Sequence, residues 1–149
     1  MFRIRFVWAA WALLHLTSCH NQEEPLPYGD DGLEGHLNEV RYLALGDSYT
    51  IGESVAEAHR WPNQLVDSLR VRLGEHHDVL DASIVATTGW TTANLDAVMN
   101  AAQVDTAEWD LVSLLIGVNN QYQGLPVEAY GPEFSALLER AIALAGGNA

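Results

Sequence analysis

The chain has 149 residues, of which 48% are hydrophobic and 18% charged, enough apolar material for one packed domain. Its 20 acidic residues against 7 basic ones, all arginine, give a formal charge of −13. That argues against a nucleic-acid partner, because phosphate binding rests on clustered cations, and against docking on anionic head groups.

The amino terminus carries Arg3 and Arg5, then an apolar segment from Phe6 to Leu14 that is too short to span a bilayer. This order predicts a secretory signal peptide over residues 1–18. Cys19 is the only cysteine, so no intrachain disulfide is possible. It ends Leu16-Thr17-Ser18-Cys19, which resembles a bacterial lipobox. The resemblance implies lipidation of Cys19 and an exported lipoprotein of the cell envelope, on the periplasmic or outer-membrane side. Several acyl chains, at roughly 0.8 kcal/mol per buried CH₂, give a stable membrane anchor without a spanning helix. Residues 19–40 hold Pro25, Pro27, three glycines and six acids from His20 onward, and read as an acidic tether that cannot bury enough surface to order itself.

From Arg41 the pattern alternates strand and helix. The apolar run of the first strand, Arg41 to Gly46, fits burial on both faces, and Gly46 permits a sharp turn that delivers Ser48 at the strand's carboxyl edge. Residues 53–60 form a loop with some helical character. Trp61, Leu65, Val66, Leu69 and Leu73 share one face of a helix that has Pro62 in its first turn and Gly74 as its C-cap. A second strand lies within Asp78 to Ala86. Thr91 or Thr92 caps the next helix, Ala93 to Ala102, with Leu95, Val98 and Met99 apolar. Trp109 to Gly117 is the third strand, and Val127 to Ala145 is a helix burying Phe134, Leu137, Leu138, Ala141, Ile142 and Leu144, with Gly146 and Gly147 ending it. Such alternation predicts an α/β fold, a three-layer α/β/α domain over residues 41–149 with a parallel sheet.

In a parallel sheet the three strand ends face the same way, and they carry Ser48, Gly89 and Asn119. A serine hydroxyl needs activation to become a nucleophile, and the oxyanion it creates needs donors placed in advance. Ser48 and Gly89 offer backbone N–H groups and Asn119 a side-chain amide. Asp47 is expected to brace the loop, and Thr91 and Thr92 to cap.

Gly46-Asp47-Ser48-Tyr49, Gly89 within Thr88-Gly89-Trp90-Thr91-Thr92, and Gly117-Val118-Asn119-Asn120 resemble, in order, three sequence blocks of the SGNH hydrolases, the GDSL esterase and lipase family. The resemblance covers Tyr42 to about Ala145. It implies a flavodoxin-like SGNH sheet, Ser48 as nucleophile, and Gly89 and Asn119 as oxyanion donors. Asn120 stands where the family usually has Asp.

The family's base, a histidine in an Asp-x-x-His block near the carboxyl terminus, has no counterpart here. His15, His20 and His36 precede the domain, and His76-His77 lies at the edge opposite Ser48. His59, in the loop after the nucleophile, is the remaining candidate. The expectation is a domain truncated after its third strand and helix, which leaves that strand's apolar edge uncovered. The implied activity is hydrolysis of carboxylic esters through an acyl-enzyme. A carbohydrate deacetylase of the same family and a non-catalytic ligand-binding surface lipoprotein are the alternatives. No metal or cofactor is implied. The expected partners are a small-molecule or lipid ester and the membrane that holds the anchor.

Overall fold

The structure, a computed structural model, describes residues 38–147. The predicted signal peptide, Cys19 and most of the predicted tether lie outside the described residues.

The sheet is built around β2 (Tyr42–Gly46), whose five residues are all buried. Its neighbours are β4 (Ser83–Ala86) and β5 (Leu111–Leu115), both parallel to it, in the order β4-β2-β5. Gly46 pairs with Ala86 on one side and with Leu115 on the other, so the three carboxyl ends are level. Tyr42 and Ala44 face α2 (Trp61–Leu73), where Val66 is buried and Trp61, Leu65, Leu69 and Leu73 pack around them. Leu43 and Leu45 face α3 (Thr92–Ala101) and α5 (Val127–Leu144), through Leu95, Met99, Leu137 and Ala141. A strand covered on both faces has no polar side to show, which is why its sequence runs apolar without alternation. The one polar tip, the Tyr42 hydroxyl, pairs with Ser113 Oγ at 2.7 Å across the ladder to β5, and burial raises the phenol's pKa above its ordinary value.

The predicted boundaries shift in four places. The tether does not reach residue 40, because β1 (Asn38–Val40) pairs in parallel with β3 (His77–Val79). The first predicted strand begins one residue later, since Arg41 lies between β1 and β2, and the second is broken at residues 80–82. Val40 pairs with Val79 but Leu43 with Ser83, so the second chain carries one more residue than the first, a β-bulge. Arg41 is turned towards the start of β5: its N–H donates to Asp110 Oδ2 at 2.8 Å, and its carbonyl accepts from the N–H groups of Asp110 and Leu111 at 3.0 and 3.2 Å. The third strand is shorter than Trp109–Gly117, since Ile116 and Gly117 leave the ladder to enter a helix.

α2 covers one face on the way from β2 to β4, and α3 covers the other on the way to β5. The winding therefore reverses between β2 and β5. In open α/β sheets, the crevice outside the carboxyl ends at such a reversal is where ligands bind. Among the described residues β5 has no partner on its outer side, and Leu115 is 47% and Leu138 of α5 42% exposed. The apolar edge expected from the sequence is present.

Candidate active site

Each of the three strand ends passes directly into the segment that bears a predicted site residue. After β2, Asp47 caps α1 (Ser48–Ile51), its carboxylate accepting from the Tyr49 N–H at 3.0 Å, as its expected bracing role requires. Ser48 is the first residue of this helix and is partly exposed. The turn is tight because Gly46 has no side chain: a β-carbon there would stand 2.1 Å from Thr50 Oγ1. The Trp61 indole N–H donates to the Tyr49 carbonyl at 3.1 Å and fixes α1 against the start of α2.

After β4, residues 87–90 make a turn closed by the Trp90 N–H on the Thr87 carbonyl at 3.3 Å. Gly89 sits at its third position with φ +83°, a left-handed conformation that favours glycine, and open space surrounds the position a β-carbon would take. The Thr88 hydroxyl donates to the Glu53 carboxylate, tying this turn to the loop after α1. Thr91 then caps α3 in a capping box with Asn94.

After β5, Gly117 caps α4 (Val118–Tyr122), which carries Asn119. The Asn119 amide donates one hydrogen to the Trp90 carbonyl at 2.9 Å and keeps its second. One helical turn on, Gln123 donates from its amide to the Gly89 carbonyl at 3.0 Å. Ser48, Gly89 and Asn119 thus stand two, three and four residues beyond strand ends that are level in the sheet. Among the described residues no protein group accepts from the backbone N–H of Ser48 or of Gly89.

The described histidines do not join them. His76 and His77 lie at the amino end of β3, the edge away from Ser48, as expected. His59 ends an exposed 3₁₀ turn (Glu57–His59) that packs on α2, and its hydrogen bonds are through its backbone, the N–H to the Ala56 carbonyl and the carbonyl from the Gln64 amide. No side chain among the described residues hydrogen-bonds Ser48 Oγ.

The sequence profile of the GDSL-like lipase/acylhydrolase family matches residues 44–148, most of the chain. The chain belongs to that family. The fold of this GDSL-like chain is shared by solved structures. The SGNH-hydrolase family esterase AlinE4 superposes with a TM-score of 0.56 at 22% identity, over 69% of this chain and 53% of that one. TesA gives 0.59 at 20% identity, over 70% and 56%. The psychrotrophic esterase EstA from Pseudoalteromonas sp., solved inhibited by monoethylphosphonate, gives 0.52 at 20% identity, over 72% and 55%. The GDSL-like chain thus spans about half the length of the solved structures it matches. No curated protein sequence matches it significantly.

Two parts of the site escape a reading of the sequence. α1 and α4 are too short to show helical periodicity, so the one-turn spacing of Asn119 and Gln123 carries no signal beforehand. Asn120, read there as a departure from Asp, is buried and makes two hydrogen bonds with Thr92, 28 residues away.

Proposed function

We propose that the protein bearing this chain is a serine hydrolase of carboxylic esters, tethered to the membrane of the cell envelope through a lipid on Cys19. Ser48 Oγ attacks the ester carbonyl carbon, and its proton passes to a base. The carbonyl oxygen becomes an oxyanion held by the N–H groups of Ser48 and Gly89 and by the free hydrogen of the Asn119 amide. Collapse breaks the bond to the alcohol oxygen, which leaves protonated, and water then releases the acid from the acyl-enzyme. The base is a histidine of an Asp-x-x-His block in the portion of the domain outside the span of this chain. The substrate is a small-molecule or lipid ester, and no metal or cofactor enters.

What supports this reading is that Ser48, Gly89 and Asn119 each follow one of three level strand ends, where the winding of the sheet reverses, and that each has an N–H without a protein acceptor among the described residues. Its test is a fluorophosphonate probe on the full-length protein. Ser48 is labelled, Ser48→Ala is not, and Asn119→Ala lowers kcat by about 10²–10³ with an unchanged melting temperature. Absence of a Ser48 adduct would overturn the esterase reading. The anchor is tested by labelled palmitate, which is incorporated in the wild type and lost in Cys19→Ser.

A further inference from the structure

Four hydrogen bonds run from α4 to the segment 89–92. Asn119 and Gln123 hold the carbonyls of Trp90 and Gly89 in partly exposed positions, where water competes for the same groups. The other two are buried. The Thr92 N–H donates to Asn120 Oδ1 at 3.1 Å, and Asn120 Nδ2 donates to Thr92 Oγ1 at 2.7 Å. Thr92 is 1% and Asn120 4% exposed. The Thr92 hydroxyl in turn donates its single proton to the Glu133 carboxylate, on α5.

Donors and acceptors in this triad are matched one to one. The Thr92 hydroxyl has one proton, already given to Glu133, so Asn120 can meet that oxygen only by donating. An amide does this through its NH₂ while its oxygen takes the Thr92 N–H; a carboxylate at position 120 has acceptors alone. It would face a hydroxyl oxygen whose proton is engaged, with a second carboxylate beyond it, and two ionised carboxylates at such a site repel. Asn120 adjoins Asn119, and Thr92 follows Gly89 by three residues. The buried pair is therefore the fixed link between the segments that carry two of the proposed oxyanion donors.

We infer that Asn120 and Glu133 form a matched positioning pair, acting through Thr92, that sets the separation of the Gly89 N–H and the Asn119 amide. The inference rests on the esterase reading for its effect on rate.

The test compares full-length wild type with Asn120→Asp, Glu133→Gln and the double variant, using a p-nitrophenyl ester and ¹H–¹⁵N spectra of the Gly89 and Asn119 amides. Asn120→Asp is expected to lower kcat about 10-fold or more with KM within about twofold, since the donors contribute mainly to the transition state. Its activity recovers in part as pH falls and the added carboxylate takes a proton. Glu133→Gln, which keeps an acceptor for Thr92, stays within about threefold of wild type, and the double variant returns to that range because one carboxylate remains. The two amide resonances shift in Asn120→Asp and return in the double variant. If Asn120→Asp folds too poorly to measure, rescue of folding and rate in the double variant supports the pairing, and a double variant as impaired as the single overturns it. If wild type shows no Ser48-dependent hydrolysis while the spectra keep this pattern, the esterase reading falls and the pairing stands.

Discussion

An alanine at position 46 would bring its β-carbon to 2.1 Å from Thr50 Oγ1 and 2.5 Å from the Leu115 carbonyl oxygen. Both partners are held, one in a fully buried side chain and the other in the backbone at the end of β5. Gly46→Ala should therefore lose about 1–3 kcal/mol of stability, read as a lower urea midpoint. It should also lower the rate of phosphonate labelling, because relief of the clash displaces Ser48. At this scale the positions of Ser48, Gly89 and Asn119 just beyond strand ends were legible in the sequence, because each follows an apolar run. Asn120 was not, because what it does depends on Thr92 and Glu133, and only the packed fold brings those three together.

Among the elements, α3 and α5 are tied by Arg140, whose guanidinium reaches Asp96 at 3.1 Å and Asn100 at 2.8 Å on α3 and the carboxylate of Asp105 in the following turn. That hydrogen bond holds the Asp105 carboxyl below its ordinary pKa. A carboxyl with a depressed folded pKa contributes stability above its unfolded pKa, and the contribution is lost as pH falls through the folded value. Asp105 is 53% exposed, so solvent screening limits the contribution of the pair. Arg140→Ala should lower the melting temperature by about 3–5 °C at pH 7, and the gap to wild type should close as pH drops below about 4. Thermal melts between pH 3 and 7 check this. The long helices were legible because Trp61 to Leu73 and Phe134 to Leu144 repeat at helical spacing. Only Leu138 of the predicted faces remains largely exposed, since it borders the uncovered side of β5. The position of Arg41 could not be read, because it is set by the side chain and backbone of Asp110, far along the chain.

For the sheet as a whole, both outer strands, β4 and β5, lack a further strand among the described residues, and the apolar edge is the one at β5. β5 presents unpaired backbone beside Leu115, and a groove of about 200 Å³ between it and α5 is lined by Val112, Leu114, Phe134 and Leu138. Edges of this kind template pairing between chains unless a charge interrupts them. The chain of residues 1–149 expressed by itself should associate with rising concentration, and Leu115→Lys should lower the associated fraction several-fold by light scattering, an estimate of roughly 1 kcal/mol per contact.

The central place of β2 also sets a timetable for synthesis. Tyr42 to Gly46 emerges before both of its partners, yet it is buried on both faces and pairs with Leu111 to Leu115 only after roughly 70 more residues have been added. At about 5–20 residues per second, that interval is on the order of 3–14 s. For the first part of it, until Ser83 to Ala86 follow, the segment that ends at the proposed nucleophile is an apolar strand with no partner, and its other edge stays open until β5 arrives. A holding chaperone would shield it over that interval.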